Sequence, residues 1–522
     1  MERRGSKLPL LKRRQAVALH ILPLTAGLLI AAAFPRANQA WLGWVAWIPL
    51  ILFVARAQSR RAAFRGGWLT GVVWFFILLR WMPEVMSSYG GMPSIAAFVA
   101  YALLIAVLAC YPAAVCAFTR HLMFRLGEWC FLLFPVVWIV MEFVISVTPC
   151  GGFPWLLAGY TQTPFIPMIQ IADITGVYGV SFVLLCVNTA VSWFFIEEST
   201  KKRRRHAPLI ITATLVAGVL IYGQSAVNRW EKIEAPFQAA LLQGNISLDD
   251  PYNVMQEKFE RGYLRMSDSL AYVPVDVLIL PESPTTKIFQ NDEWYRRTME
   301  NLAQRYPLGL VLSNINFEEL QDGTEAYYNS AFFLTKDGSL SGIYDKIHLV
   351  PFGEYIPYKK LLFFAETVSK EMGGFSAGRE LRILPLGDRP ANAVICYEAV
   401  FPGLVRRFVD RGSQVIINLT NDGWYGISDA PYQHLEIARM RAVENRRYFL
   451  RAANTGFSAV IEPTGRIAAS TDWAQEAICL GRFGFIEEKT IYSSCGNVFA
   501  WLCVIISAAA LIWAIRGRKK FY

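Results

Sequence analysis

The 522-residue sequence has no CxxC pair, no cluster of histidines and no internal repeat. Its five histidines are widely scattered, so nothing in the spacing suggests a metal site. Nine cysteines are present, yet they make no disulfide framework. Only Cys150, Cys396, Cys479 and Cys495 would face an oxidising side, with Cys479–Cys495 as a candidate bridge. Charge is also scarce. Asp, Glu, Lys and Arg make up 18% of the chain against 54% hydrophobic residues, and that balance excludes an ordinary soluble protein.

The apolar excess fills the first 225 residues and the last 30. Eight stretches are long and apolar enough to span a bilayer, roughly 15–34, 39–55, 66–82, 94–118, 130–148, 166–196, 208–225 and 497–515. The stretch 166–196 is too long for one span, so part of it is a loop or a broken helix. The first run is longer than the core of a signal peptide and "AAAF" is a weak cleavage site, so it is read as a span. Every second link between spans is basic, from "MERRGSKLPLLKRR" through "ARAQSRRAAFR", "TRHLMFRLGEW" and "EESTKKRRRHAP" to "RGRKKFY". The positive-inside rule then puts both ends in the cytoplasm and 226–496 outside. These links hold 21 of the 51 Lys and Arg, so the net charge of +10 reflects topology rather than nucleic-acid binding.

From Gln238 to Ile486 the pattern changes. Short β-rich runs such as "FQAALLQGN", "VDVLILPES", "LGLVLSNINF", "NAVICYEA" and "SQVIINLTND" alternate with helix-like stretches at 252–272, 292–305 and 432–447. Strands alternating with helices predict an α/β sheet domain. "TKDGS" and "EPTGR" read as hairpin turns with glycine at the position that needs positive φ.

The chemistry-bearing residues sit at predicted strand ends. "VDVLIL" runs into "PES", which puts Glu282 at the sheet's carboxyl edge, and "SGIYD" delivers Lys346 to a Pro- and Gly-rich loop containing Glu354. "NAVI" turns into "CYEAVFPGLVRRF", so Cys396 lies on a strand-to-helix elbow, where backbone N–H groups stabilise an anion. A nucleophilic cysteine needs a base for its proton and a cation for the negative charge that follows. Glu282, Lys346 and Cys396 supply one of each. Separations of 64 and 50 positions do not show that they meet, and composition alone favours two surface charges and a core thiol.

"LPES", "YDKIHLVPFGEYIP" and "VICYEAVFP" resemble the Glu, Lys and Cys motifs of the nitrilase superfamily. Joined to "LLQGNI", "NLTNDGWYG", "QHLEIARMRAVENRRYFLRAANTG" and the flanking spans, they resemble the apolipoprotein N-acyltransferase family from the first span to the last. The resemblance implies an integral membrane α-helical bundle of about eight spans carrying a nitrilase-like α/β domain, an α-β-β-α sandwich. It implies Glu282 as general base, Lys346 as catalytic lysine, Cys396 as nucleophile, and Glu354, Tyr397 and Glu398 as supporting residues. After "QGNI" the family typically has a tryptophan, where this chain has "SLDDPYN" with Tyr252 as the replacement aromatic. The implied reaction takes an acyl chain from a phospholipid, in the family usually phosphatidylethanolamine, through a Cys thioester to the α-amine of S-diacylglyceryl-cysteine in an apolipoprotein. No metal or soluble cofactor is required, and the implied location is a bacterial inner membrane with the domain on the periplasmic side. The implied organisation is a bundle at 15–225, a catalytic domain at 226–496, a last helix at 497–515 and basic tails at 1–14 and 516–522.

Two other classes fit parts of the sequence. A membrane-tethered nitrilase-type amidase would share the three residues without needing eight spans. A transporter or binding scaffold would want buried charges within the spans, for which Glu142 and Asp173 are the candidates. A lid is also expected at 358–376. There Leu361, Leu362, Phe363 and Phe364 would rest on lipid, with Lys359 and Lys360 near head groups and Gly373 and Gly374 as hinge. The competing reading of that run is a core helix.

Overall fold

The computed structural model describes residues 8–148, 151–196, 206–351, 353–355 and 374–516, with side chains from residue 21 on. Among the described residues, five helices are long and apolar enough to cross a membrane. They are Ser94–Leu126, Glu128–Ile145, Val177–Ile196, Ala207–Trp230 and Val498–Arg516. A sixth crossing is formed if Arg60–Leu78 and Met82–Tyr89, bent by 60° to one another, count as one. Of the other expected spans, the first lies in a helix that runs Leu8–Ala33, while Ala40–Arg56 and Ile166–Thr175 are shorter apolar helices. The long run 166–196 breaks at Gly176, whose φ of +66° ends one helix before Val177 starts the next. In the run 166–196, length and hydropathy see one apolar stretch, whereas the glycine decides how much of it is one helix.

The remaining chain forms two six-stranded sheets. The first contains β1 (Phe237–Gln243), β2 (Val277–Ile279), β3 (Gly309–Glu319), β4 (Glu325–Leu334) and β5 (Leu340–Asp345). The second contains β6 (Leu384–Leu386), β7 (Arg389–Ile395), β8 (Val415–Thr420), β9 (Phe449–Ala453), β10 (Ala459–Ile461) and β11 (Ile467–Ser470). The last strand, β12 (Ala477–Phe483), returns to pair antiparallel with β1. The orders are β12-β1-β2-β3-β4-β5 and β11-β10-β9-β8-β7-β6. Pairing is parallel for β1–β2–β3 and for β7–β8–β9.

Alternation within the strands explains the layers. Ala239, Leu241, Val277, Ile279 and Val311 share a core with Ala391, Ala393, Ile417 and Leu450 of the other sheet. Their neighbours Ala240, Leu242, Leu278, Leu310 and Leu312 pack the opposite way, against Phe259, Tyr263, Met266, Tyr295 and Met299 of the helices. A strand buried on both faces reads as a continuous apolar run. Both expected hairpins are present, β4–β5 with Gly338 at φ +85° and β10–β11 with Gly465 at φ +81°. Cys479 and Cys495 are both free, which corrects the candidate bridge. Cys479 is buried in β12 and Cys495 is exposed at the end of the helix Ile491–Cys495.

Candidate active site

Carboxyl ends of parallel strands are where open α/β sheets gather ligands, and here the ends of β2, β5, β7 and β8 converge. Glu282 follows β2, Lys346 follows β5, Cys396 follows β7 and Asn421 follows β8. The Lys346 ammonium, 1% exposed, stands 2.8 Å from Glu354 Oε1 and 3.8 Å from Glu282 Oε1. Asn329 bridges the two carboxylates, donating Nδ2–H to Glu282 Oε1 at 2.8 Å and to Glu354 Oε1 at 3.1 Å. The Asn421 N–H donates to Glu282 Oε2 at 3.0 Å, and the Val350 N–H to Glu354 Oε2 at 2.8 Å. Glu282 is thereby fixed by two neutral donors, and the lysine takes its shortest contact from Glu354.

Cys396 has φ +49° and opens the turn Cys396–Val400. A left-handed conformation is strained for any residue but glycine and persists only where its surroundings hold it. Glu398 does much of that holding. Its Oε2 accepts from the Ile395 N–H at 2.8 Å. Its Oε1 accepts from the Tyr344 hydroxyl at 2.7 Å and from the Ile347 and His348 N–H groups at 2.8 and 3.1 Å. One buried carboxylate thus ties the cysteine elbow to the backbone that follows Lys346.

Electrostatics follow from burial. The Cys396 thiol is pushed up to about 12 by burial and by the charge of Glu282, with Lys346 and a hydrogen bond to Thr420 pulling the other way. Burial also raises Glu282, opposed by Lys346 and by hydrogen bonds from Asn329 and Cys396. Lys346 is held well above its usual range because Glu354 and Glu282 outweigh its own burial. His348 is lowered to about 4 by burial and by Lys346. At neutral pH Lys346 keeps its charge and Cys396 its proton, and Glu282 stands hydrogen-bonded beside the thiol.

All three predicted chemical residues and the supporting Glu354, Tyr397 and Glu398 therefore lie in one site. Tyr252, the expected replacement aromatic, is 65% exposed at the start of the helix Tyr252–Lys258. The lid residues Leu361, Leu362, Phe363 and Phe364 lie outside the described residues. Sequence reasoning missed the polar supports Asn329 and Asn421, although Asn421 stands in the strand motif "SQVIINLTND". It also missed a contribution from the bundle. Trp155, in the uncharged link "PCGGFPWLLAGYTQTPF", stacks on Tyr397 at 6.1 Å between ring centroids. The link's lack of charge was the signal, since such a loop can be buried against a domain.

Residues 26–190 match the apolipoprotein N-acyltransferase N-terminal domain, and residues 238–483 match the carbon-nitrogen hydrolase domain. The chain is 37% identical over 510 residues to the apolipoprotein N-acyltransferase of Geobacter metallireducens, covering 96% of each. It belongs to the apolipoprotein N-acyltransferase family. Family members from Bradyrhizobium diazoefficiens (35% identity, 70% of each chain) and Chlorobaculum tepidum (29%, 95% of this chain and 97% of that one) are also similar. Among solved structures, Saccharomyces cerevisiae Nit3, a member of branch 10 of the nitrilase superfamily, covers 49% of this chain and 92% of its own. That likeness has 19% identity and a TM-score of 0.37. The nitrilase-like fold of the apolipoprotein N-acyltransferase family rests here on the domain match and the two layered sheets.

Proposed function

We propose that this protein is an N-acyltransferase working in two half-reactions at a bacterial inner membrane. Cys396 attacks the acyl ester of a phospholipid, phosphatidylethanolamine being the expected donor, as Glu282 takes the thiol proton. Lys346 faces the oxyanion. The ester C–O bond breaks, Glu282 returns the proton to the departing lysophospholipid alkoxide, and a thioester remains. The α-amine of an S-diacylglyceryl-cysteine at the end of an apolipoprotein then attacks that thioester. Its N–H proton passes through Glu282 to the leaving thiolate, and the amide forms. Both substrates are lipids, so the reading includes about eight spans, a periplasmic domain at 226–496, and a dry site that slows thioester hydrolysis.

The observation that carries this reading is the convergence of Glu282, Lys346 and Cys396 in one buried site, in a chain whose relatives bear the name apolipoprotein N-acyltransferase. The test is incubation with phospholipid labelled in its acyl chain. Label on Cys396 that moves to a lipopeptide amine supports transfer. Release of label to water supports an amidase-like hydrolase instead. Label retained by Cys396→Ala would remove the cysteine from the mechanism.

A further inference from the structure

Part of the wall beside Cys396 comes from the bundle, and one amide fixes it. Trp155, buried in a link between spans, stacks on Tyr397 with 24° between the ring planes. Tyr397 follows Cys396, whose φ of +49° puts it on a strained elbow. The rings of Phe153, Trp81, Tyr425 and His434 also surround Trp155, at centroid distances of 6.2, 5.6, 5.7 and 5.5 Å. Apolar burial among rings is non-directional, so it does not by itself hold the indole in one place.

A hydrogen bond does hold it. The Trp155 indole N–H donates to Gln433 Oε1 at 2.6 Å. The partners decide which end of the amide is which. An indole only donates and a carbonyl only accepts, so Oε1 faces Trp155 and Nε2 faces the carbonyls of Leu78 and Pro35, at 3.2 and 3.4 Å. Both carbonyls stand at helix ends in the bundle, where no donor of the same helix is left for them. Leu78 closes the helix Arg60–Leu78 just before its 60° bend, and the Met82 N–H four residues on goes to the Leu79 carbonyl instead, at 3.0 Å. Pro35 lies just beyond the helix Leu8–Ala33. Gln433 itself is buried in the first turn of the helix Ala430–Asn445. An apolar side chain there would fill the same space and leave the indole N–H and both carbonyls without it.

We propose that Gln433 is a positioning residue for the acylation step: anchored on the ends of two bundle helices, it fixes the Trp155 indole against Tyr397 and so holds the Cys396 elbow in place for attack on the ester. The proposal rests on the reading of Cys396 as the acylated residue.

Two changes break the same link from opposite sides. Gln433→Met keeps the length of the side chain and loses the amide. Benzothienylalanine at position 155 keeps the fused ring and puts sulfur where the indole N–H was, so the hydrogen bond goes and the stacking stays. Thioester formation is followed in single turnovers of the full chain at increasing concentrations of acyl-labelled phospholipid. Limiting rates are referred to the folded fraction, so lost stability alone leaves them unchanged. Each change should lower the limiting acylation rate about tenfold at unchanged half-saturation, as small misplacements near a reacting group do. The two together should cost no more than the worse of them alone, because they remove one interaction. Wild-type rates in the benzothienylalanine protein would overturn the proposal, as would losses that multiply in the combined variant or a change confined to half-saturation. If Gln433→Met does not fold, the benzothienylalanine protein, in which Gln433 keeps both helix ends, decides alone. Acyl label on wild-type Cys396 and its loss in Cys396→Ala establish the nucleophile whatever these variants do.

Discussion

Cys396, the proposed nucleophile, is a weak one at rest, because burial and the charge of Glu282 push its thiol up to about 12. In the proposed mechanism the same charge that raises the thiol is the base that relieves it of its proton, so Glu282→Gln should separate the two effects. Without the charge the thiol pKa falls, and alkylation of Cys396 by iodoacetamide should turn on at lower pH than in the wild type. Acyl transfer should nevertheless drop about 10²–10⁴-fold, since no group is left to take the proton. Alkylation profiles and thioester formation measured on the same preparation check both halves, and a profile that moves upward contradicts the electrostatic account. Glu282 itself is raised by burial. Acylation needs it ionised, so the acid limb of the wild-type pH–rate profile should lie above the ordinary glutamate value of about 4.3. Lys346→Arg should not rescue activity. The ammonium sits between Glu354 at 2.8 Å and Glu282 at 3.8 Å with 1% exposure, and a planar guanidinium is not a compact point donor. Turnover of Lys346→Arg within tenfold of wild type would place the oxyanion partner elsewhere.

The helix Ala430–Asn445 is the element that joins the catalytic domain to the bundle. Gln433 Oε1 accepts from the Trp155 indole at 2.6 Å, Arg441 Nη2 donates to the Tyr160 hydroxyl at 3.1 Å, and Glu444 Oε1 accepts from the Val177 N–H at 2.9 Å. Just past its end, the buried Arg446 donates Nη2–H to Asp173 Oδ2 at 2.6 Å and Nη1–H to the Pro463 carbonyl at 3.0 Å. Asp173 also accepts from the Tyr222 hydroxyl at 2.9 Å. Asp173, one of the two buried charges that the sequence offered as transport residues, is therefore one side of a domain contact. Arg446→Ala should destabilise the protein by about 3–5 kcal/mol, because it leaves Asp173 buried without its cation. Removing both charges in Asp173→Leu/Arg446→Met should cost less than Arg446→Ala alone, as thermal melts in detergent would show. This helix also shows where sequence legibility ends. Its polar residues are buried through partners distant in the chain, so no apolar stripe marks its buried face. The strands β1, β3 and β8 were legible because each carries a buried apolar run, Ala239–Leu242, Leu310–Leu312 and Val415–Ile417. β9 was less so, since "FLRAA" carries the buried Arg451 at its centre, and β6 has only three residues. Motif resemblance found Glu282, Lys346 and Cys396, but the supports Asn329 and Asn421 are ordinary polar residues until the fold brings them together.

Over the whole molecule, the basic links set the expected orientation, and the bundle supplies part of the site. A reporter fused after Tyr522 should therefore read as cytoplasmic, and one inserted between Asp322 and Thr324, in the turn joining β3 and β4, as periplasmic. The stronger consequence concerns dependence of one part on the other. Trp155, from a link between spans, covers Tyr397 and packs on His434, so the wall of the site is not all made by residues 226–496. Arg441, Glu444 and Arg446 are wholly buried where the domain meets the bundle. An excised domain of residues 232–490 would open that face to water, and Trp155 would leave the rings it covers. Exposed faces of this kind drive association. The excised domain should accordingly aggregate or lose fixed packing, and Cys396 should react with iodoacetamide near the ordinary thiol range of about 8.5 rather than near 12. Size-exclusion chromatography and an alkylation profile in pH would decide the matter. A monodisperse excised domain that still protects Cys396 would show that the bundle serves as an anchor and no more. Protection regained only when residues 1–231 are co-expressed would show that the spans complete the active site.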